Sequence, residues 1–373
     1  MDDSCDDNAV VTSNIVVVDY QQITKEPSPS HSIADQLEQA YGGSGCGILV
    51  IRNVPGFLQA KNTFLPMAHS LVHLPNLEQD FTDAGSLYNA GWSYGKEKLG
   101  NKPDLAKGSF YFNPSTDTPG SEEDRRSYPA SYPCNLWPAS LPDFEPAAKH
   151  IGTIMKDVVV ALTKHIDAFA AEKVIHYPPN VLYNAMKETE KGKGRLLYYF
   201  PLSDQASTPS QDSWTGWHND SGFLTALAGD IYVDATTGEP VECPDPHAGL
   251  SVVDRRNSIV QVIIPPDCMA VQIGECVQIL TGGAVVATPH CVRGAKAPNV
   301  ARISLPLFID TPPSFALYVP KGSARLDVLQ ASVGTSRVPQ LESRWTDDGI
   351  TFGDFLQNTF AQYYKWSTKS QIN

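Results

Sequence analysis

The first half of the chain combines short apolar runs with apolar residues repeated at helical spacing. Continuous β-rich runs occur at 14–20 and 46–56, and a helical pattern lies between them at 32–43. A second helical pattern covers about 58–74. The most regular helix is predicted over 144–174, where one apolar stripe consists of Ile151, Ile154, Met155, Val158, Leu162, Ile166 and Phe169. These patterns predict an α/β region in the N-terminal half.

The stretch from 81 to 144 has a different composition, rich in Pro, Gly and aromatic residues. It predicts a long ordered loop region, because its aromatic side chains would be buried. After residue 195 the pattern changes to short β-type runs separated by turn residues: LLYYFPL, GFLTALAG, GLSVVD, SIVQVII, MAVQIG, CVQIL, AVVAT, RISLPLFI and FALYV. Many short strands of this kind predict a β-sandwich or barrel. An amphipathic helix is predicted over 351–366.

Composition and charge narrow the class of protein. The 373 residues carry a formal net charge of −13, which argues against a general affinity for nucleic acid or anionic membranes. Seven scattered cysteines without a CxxC pair favour a reducing compartment over a disulfide framework. The acidic N-terminus is not typical of a secretory or transit peptide, and no apolar run approaches the ~20 residues that span a bilayer. We expect a cytoplasmic protein with a small-molecule partner.

A small set of polar residues interrupts the β-type runs. His218 and Asp220, in WHND, are two residues apart, so on a strand both side chains point to one face. Arg302 and Ser304, in RISL, repeat this spacing on a later run, and His290 lies between the two pairs. Two histidines and one carboxylate on one side of an ion are the ligand set of non-haem Fe(II) oxygenases. A guanidinium beside a hydroxyl suits a carboxylate.

Three stretches carry a resemblance to a known family. WHNDSGFLTAL, IGECVQILTGGAVVATPHCVRG and RISLPLFI resemble the isopenicillin-N-synthase-like branch of the Fe(II)/2-oxoglutarate-dependent dioxygenases. The resemblance extends over about 14–366. It implies that His218, Asp220 and His290 bind Fe(II), and that Arg302 and Ser304 bind the distal carboxylate of 2-oxoglutarate.

The resemblance also implies a fold and a reaction. The fold is mainly β with flanking helices (α+β) around a double-stranded β-helix, or jelly-roll, core. The N-terminal α/β region would cover 1–190, the oxygenase domain 191–325 and a C-terminal helical extension 326–373. The implied reaction uses O2, with ascorbate as a possible reductant, to oxidise a small organic metabolite and release succinate and CO2. Hydroxylation is the default outcome, and desaturation or ring closure also occurs in such families.

The sequence departs from the family pattern near the co-substrate site. Phe200 precedes Pro201 where the family often has a tyrosine that contacts 2-oxoglutarate. We therefore predict that Tyr198, two residues earlier, takes over this contact. The stretch 230–249 lengthens the gap between the metal-binding histidines and predicts an insertion near the site.

Several other residues are open to a functional and a structural interpretation. Tyr111 and Phe112 occupy the region that often forms a substrate wall in the family, and Trp217 is a third substrate candidate; ordinary packing is the alternative for all three. His69 and His73 have metal-compatible spacing but lack the acidic partner of an HExxH motif. We expect these two to be surface or core histidines, and His247 to face solvent.

Three other functions remain open from the sequence. A same-fold Fe(II) oxidase would use Arg302 and Ser304 to bind the carboxylate of its own substrate instead of 2-oxoglutarate. A non-catalytic sensor would hold a small molecule without turnover, although a binder has no need of three metal ligands. A hydrolytic zinc site is disfavoured because no Glu adjoins the triad as a general base.

Overall fold

Two β-sheets with flanking helices form the framework of the computed structural model, which describes residues 11–12, 15–96, 98–99, 102–202, 213–332 and 337–369. The helices in these ranges are α1 (Tyr20–Ile23), α2 (Ala34–Tyr41), α3 (Phe57–Phe64), α4 (Met67–Val72), α5 (Leu77–Phe81), α6 (Glu122–Ser127), α7 (Phe144–Lys173), α8 (Val181–Lys187), α9 (Glu275–Leu280), α10 (Arg325–Ala331) and α11 (Phe352–Lys369). The strands are β1 (Val11–Thr12), β2 (Val17–Asp19), β3 (Ile48–Arg52), β4 (Gly91–Tyr94), β5 (Lys98–Leu99), β6 (Lys102–Pro103), β7 (Lys107–Phe112), β8 (Gly192–Tyr199), β9 (Thr215–His218), β10 (Leu224–Asp234), β11 (Pro240–Val241), β12 (Gly249–Val253), β13 (Ile259–Gln261), β14 (Met269–Ile273), β15 (His290–Arg293) and β16 (Val300–Ile309). The predicted mixed α+β class is confirmed.

The larger sheet has the strand order β2-β3-β14-β10-β16-β8-β7-β4, and β11 pairs with β10 as a hairpin. The smaller sheet has the order β1-β13-β12-β15-β9. Strands from both sides of residue 190 share the larger sheet, because β7 pairs with β8 and β3 pairs with β14. The N-terminal region therefore continues the sheet of the C-terminal half.

The two faces of the larger sheet have different surroundings. On β16, Ile303 and Leu307 belong to the main hydrophobic core, which also contains the apolar stripe of α7. Arg302 and Ser304, the alternate residues, line a cavity on the other face. Because strand side chains alternate in direction, this strand has one face toward the apolar layer that the helices cover and the other face toward the cavity.

A second hydrophobic core lies between the two sheets. It contains Leu197 and Tyr199 of the larger sheet together with Leu250 and Val292 of the smaller sheet. These contacts hold the sheets face to face and leave a cavity of about 100 Å³ that side chains from both sheets line.

Three of the predicted β-type runs are not strands. CVQIL belongs to helix α9, whose six residues are all buried. AVVAT joins no strand ladder: the N–H of Val286 donates to the carbonyl of Tyr41, and the N–H of Ala287 donates to Oε1 of Gln278. FALYV makes a single β-bridge, at Ala316. A short apolar run without polar alternation does not distinguish a buried strand from a buried helix or an extended segment.

The stretch predicted as a long ordered loop contributes two strands, β4 and β7, to the larger sheet. Gly108 makes their pairing possible, since a Cβ there would lie 2.1 Å from the ring of Trp92. The 230–249 stretch is not a separate insertion at its start: β10 runs through it to Asp234 and then turns back as β11. A break in register between Leu227 and Asp230, with Gly229 at φ +76°, marks a β-bulge in β10.

In the described part of the chain, no helix has the length and apolar character that crossing a membrane requires.

Candidate metal centre

The two predicted metal-binding histidines meet across paired strands of the smaller sheet. His218 ends β9, His290 begins β15, and the two residues are direct partners in the antiparallel register. Asp220 lies in the turn after β9 instead of on the strand, but its carboxylate still reaches them: its Oδ1 is 3.8 Å from Nε2 of His290. One ligand atom from each of the three residues lies within 4.8 Å of the others. Among the described residues, this is the only such group of three.

Hydrogen bonds at the back of each imidazole orient the pair. Nδ1–H of His218 donates to the carbonyl of Gly216 at 2.8 Å, and Nδ1–H of His290 donates to the carbonyl of Thr288 at 3.3 Å. Each ring therefore presents Nε2 to the space between them, which is how metal-binding histidines are usually held. Burial, and then the neighbouring His290, lower the pKa of His218, so its imidazole is neutral and able to bind a cation.

The donor set fits a divalent metal ion. The Oδ2 atom of Asp220 is buried and has no hydrogen-bond partner among the described residues, although burying an unsatisfied carboxylate oxygen is costly. A cation bound by His218, Asp220 and His290 would satisfy it. Three protein ligands on one side leave the other coordination positions open, as in the 2-His-1-carboxylate sites of non-haem iron proteins.

Arg302 and Ser304 lie on β16 and line the same cavity as the metal triad. Nε of Arg302 donates to Oδ2 of Asp230 at 2.7 Å, and its guanidinium lies 5.0 Å from the ring centroid of Tyr199. Its Nη1 atom is buried without a hydrogen-bond partner in the described residues. Burial opposes the charge of Arg302, but Asp230, Tyr199 and Tyr232 together outweigh burial and raise the pKa of the guanidinium. The cavity wall therefore contains a permanent cation with a donor still to be satisfied.

Asp230 was not predicted as a site residue. It pairs with Ser304 in the β10–β16 register, and the β-bulge directly before it turns its side chain into the cavity. Nothing in the sequence marks the bulge except Gly229, since glycine at positive φ is the usual residue there.

Lys107 and Arg195 are two further cations of the cavity wall that sequence reasoning missed. Lys107 is buried and forms an ion pair with Asp104, which is also buried. Nε of Arg195 donates to Oγ of Ser109 at 2.9 Å. Lys107 begins β7, inside the 81–144 stretch that was predicted as a loop. Arg195 lies on β8, where the alternation of side chains places it on the same face as Tyr199.

The structure corrects the predicted position of Tyr198. Tyr198 pairs with Ile303 and packs in the main core, with its ring 5.1 Å from that of Phe200. It does not line the cavity; Tyr199 does, and its hydroxyl is 3.3 Å from Oγ1 of Thr215. The LLYYF run is buried on both faces, so its polarity does not reveal which tyrosine points inward.

The three substrate candidates lie outside the cavity lining. Phe112 faces the main core, where it contacts the ring of Phe64. Trp217 is half-buried and packs against the guanidinium of Arg337 at 4.9 Å. Tyr111 is on the cavity face of β7, but Arg195 lies between it and the cavity, 5.2 Å from its ring centroid.

His69, His73 and His247, the other histidines considered in the sequence, have structural positions. His69 contacts the carbonyl of Ala235 at 3.2 Å, and Nδ1 of His73 contacts the carbonyl of His69 at 2.7 Å. His247 is exposed.

Comparisons with known proteins find similar folds among solved structures. No family model matches the sequence, and no curated protein matches it. Among solved structures, a 2OG-Fe(II) oxygenase family protein from Caulobacter crescentus shares 20% identity over 94% of this chain and 99% of its own, with a TM-score of 0.64. A full-length Neurospora crassa protein, solved in complex with alpha-KG, shares 16% identity over 95% of this chain and 99% of its own, with a TM-score of 0.64. JOX2, solved with 2OG, Fe and JA, shares 15% identity over 97% of this chain and 90% of its own, with a TM-score of 0.62.

At identities this low, the TM-scores show a common fold and no more than that. The chain therefore has the fold of these 2OG-Fe(II) oxygenase structures over nearly its whole length.

Proposed function

We propose that the chain is an Fe(II)- and 2-oxoglutarate-dependent dioxygenase that oxidises, by default hydroxylates, a small organic metabolite. The observation that carries this proposal is one cavity with two unsatisfied buried groups: Oδ2 of Asp220 in the histidine–carboxylate triad, and Nη1 of Arg302. A metal ion satisfies the first, and the distal carboxylate of a keto acid satisfies the second. The two packed sheets would be the double-stranded β-helix core. The oxygenase domain, 191–325, would supply both the metal-binding triad and Arg302.

The roles of the residues follow from their chemistry. His218, Asp220 and His290 would hold Fe(II) from one side, and their back-bonded imidazoles would keep it in place. Arg302 and Ser304 would bind the distal carboxylate, with Tyr199 in the place that we predicted for Tyr198. When bound, Fe(II) would activate O2, and 2-oxoglutarate and the substrate would each supply two of the four electrons that O2 takes up, with succinate and CO2 as the products from 2-oxoglutarate. The buried cavity would limit access of water to the reaction.

Substrate-dependent succinate release tests the proposal. Protein reconstituted with Fe(II) would be incubated in air with 2-oxoglutarate and fractions of a metabolite extract, and succinate would be measured. We expect succinate that depends on both 2-oxoglutarate and Fe(II), that is lost in His218→Ala and that persists in His247→Ala, the exposed control.

The rival functions predict different results in the same assay. Oxygen consumption that does not require 2-oxoglutarate would indicate the oxidase, in which Arg302 binds the substrate. Stoichiometric iron without oxygen consumption in any fraction would indicate a binding protein. Either result would overturn the proposal.

A further inference from the structure

A buried ion pair lies directly behind the turn that carries two of the metal-binding residues. Arg344, from the segment before α11, forms a two-pronged ion pair with Glu275 at the start of α9. The side chains are 0% and 2% exposed, so solvent does not screen the pair. A charge pair buried this deeply is costly to build and is weak evidence for stability by itself, which raises the question of what it positions.

The ion pair holds the turn through Asn219, the residue between the two ligands. Nδ2 of Asn219 donates to Oε1 of Glu275 at 2.8 Å, so the carboxylate receives hydrogen bonds from both Asn219 and Arg344. The backbone N–H of Asn219 donates to the hydroxyl of Tyr363 in α11 at 3.0 Å. Two side chains of the C-terminal segment, one of them acting through Glu275, therefore fix this single residue.

The far side of the turn is fixed by the backbone of α9. The N–H of Glu275 donates to the carbonyl of Asp220 at 2.8 Å, and the N–H of Cys276 donates to the carbonyl of Gly222 at 3.0 Å. Glu275 therefore contacts the turn with its backbone on one side of Asp220 and with its side chain on the other. This matters because Asp220 lies beyond the end of β9, where the sheet no longer fixes its position.

We propose that Arg344 and Tyr363 are positioning residues, which hold the His218–Asp220 turn through Glu275 and Asn219 in the geometry that binds a divalent metal. The inference rests on the metal centre of the proposed function. The inference assigns to the C-terminal segment a role in metal affinity, although none of the described residues of that segment belongs to the metal-binding triad. The hydrogen bond between Asn219 and the Tyr363 hydroxyl is neutral and contributes about 1 kcal/mol, so losing it should weaken metal binding about fivefold. The hydrogen bond from Asn219 to the Glu275 carboxylate has a charged acceptor and contributes about 1.5–3 kcal/mol, so losing it should weaken metal binding about 10-fold or more.

Titration with Mn²⁺ tests this role without relying on turnover. Binding would be followed by the loss of the EPR signal of the aqueous ion, with the unfolding temperature of the metal-free protein measured in parallel. We expect Tyr363→Phe to raise the Mn²⁺ Kd about fivefold, Asn219→Ala to raise it about 10-fold or more, and the double variant to raise it at least as much as Asn219→Ala. Both hydrogen bonds are present in the metal-free protein, so its unfolding temperature should fall by a few degrees and the variants should remain folded at the temperature of the titration.

The role of Arg344 needs a paired variant, because removing one partner would leave a buried charge and could prevent folding. Glu275→Met combined with Arg344→Met replaces the pair with apolar side chains of similar size. We expect this variant to fold and to bind Mn²⁺ about 10-fold more weakly than the wild type, on the scale of other groups that support metal ligands.

Arg325→Ala is the matched control, since Nη2 of Arg325 donates to the carbonyl of Trp345 in the same segment. Its Mn²⁺ Kd should remain within about twofold of the wild-type value. Wild-type affinity in the Asn219→Ala, Tyr363→Phe double variant, or equal weakening in Arg325→Ala, would overturn the positioning role. Absence of Mn²⁺ binding in the wild type would instead overturn the metal centre itself.

Discussion

Replacement of Arg302 by alanine is the most direct perturbation of the co-substrate site. The side chain is 6% exposed, its Nε is bound to Asp230, and its Nη1 has no partner in the described residues. A hydrogen bond to a charged group contributes about 1.5–3 kcal/mol. Arg302→Ala removes at least one such bond and leaves Asp230 facing the ligand carboxylate, so the loss should reach about 3 kcal/mol or more. That loss corresponds to a 2-oxoglutarate Kd raised by about 100-fold or more.

The assay is an anaerobic titration of the Fe(II)-loaded protein with 2-oxoglutarate, followed by the visible charge-transfer band of the chelate. Pyruvate is the matched ligand, because it has the keto acid end but no distal carboxylate. Its affinity should change by less than about threefold, so that Arg302→Ala loses selectivity and keeps chelation. Arg255→Ala, a half-buried arginine outside the cavity lining, should behave as wild type.

An unchanged 2-oxoglutarate affinity in Arg302→Ala would refute this reasoning. The distal carboxylate would then be bound elsewhere in the cavity, where Lys107 and Arg195 are the remaining cations of the lining. Arg302→Lys refines the result. Lysine keeps the charge but loses the planar fork, so we expect an affinity between those of the wild type and the alanine variant.

Three further predictions concern the two faces of the larger sheet. Tyr199→Phe should weaken 2-oxoglutarate binding about three- to tenfold in the same titration, whereas Tyr198→Phe, on the core face, should not; the opposite order would refute the corrected assignment. Asp230→Asn should tighten 2-oxoglutarate binding, because it removes a negative charge beside the ligand carboxylate, and weaker binding would show that Asp230 serves mainly to orient the arginine. Leu162 is fully buried in α7, so Leu162→Ala should lower the free energy of unfolding by about 2–5 kcal/mol in denaturant titration. The Mn²⁺ affinity of the folded variant should remain unchanged.

The sequence predicted which polar residues lie together better than it predicted the strands, helices and turns on which they lie. His218 and Asp220 are separated by one residue, so local geometry keeps them close on a strand or in the turn that the structure has. His290 joins them through strand pairing, which follows from the order of the β-runs. The alternation of β16 likewise placed Arg302 and Ser304 on one face.

Two of the errors share one physical cause, which is burial on both faces. Tyr198 and Tyr199 lie between a helix-covered core and a core between the sheets, so apolar character on each side conceals the direction of either ring. The CVQIL run forms helix α9 for the same reason, since burial of every residue, Gln278 included, removes the periodicity that identifies a helix. Asp230 was missed because a β-bulge, which depends on the pairing of β10 with β16, sets its direction.

The metal-binding histidines and the proposed co-substrate residues lie on different sheets. The smaller sheet carries His218 and His290, whereas the larger sheet carries Arg302 on β16. Their separation is set by the core between the sheets, where Tyr199 packs with Val292, and not by a loop that could adjust. Interiors packed at this density resist small displacements. With Fe(II) and 2-oxoglutarate bound as we propose, the distance between the metal and the carboxylate-binding cation would be built into the fold, so that a keto acid of fixed length would be selected before any substrate binds.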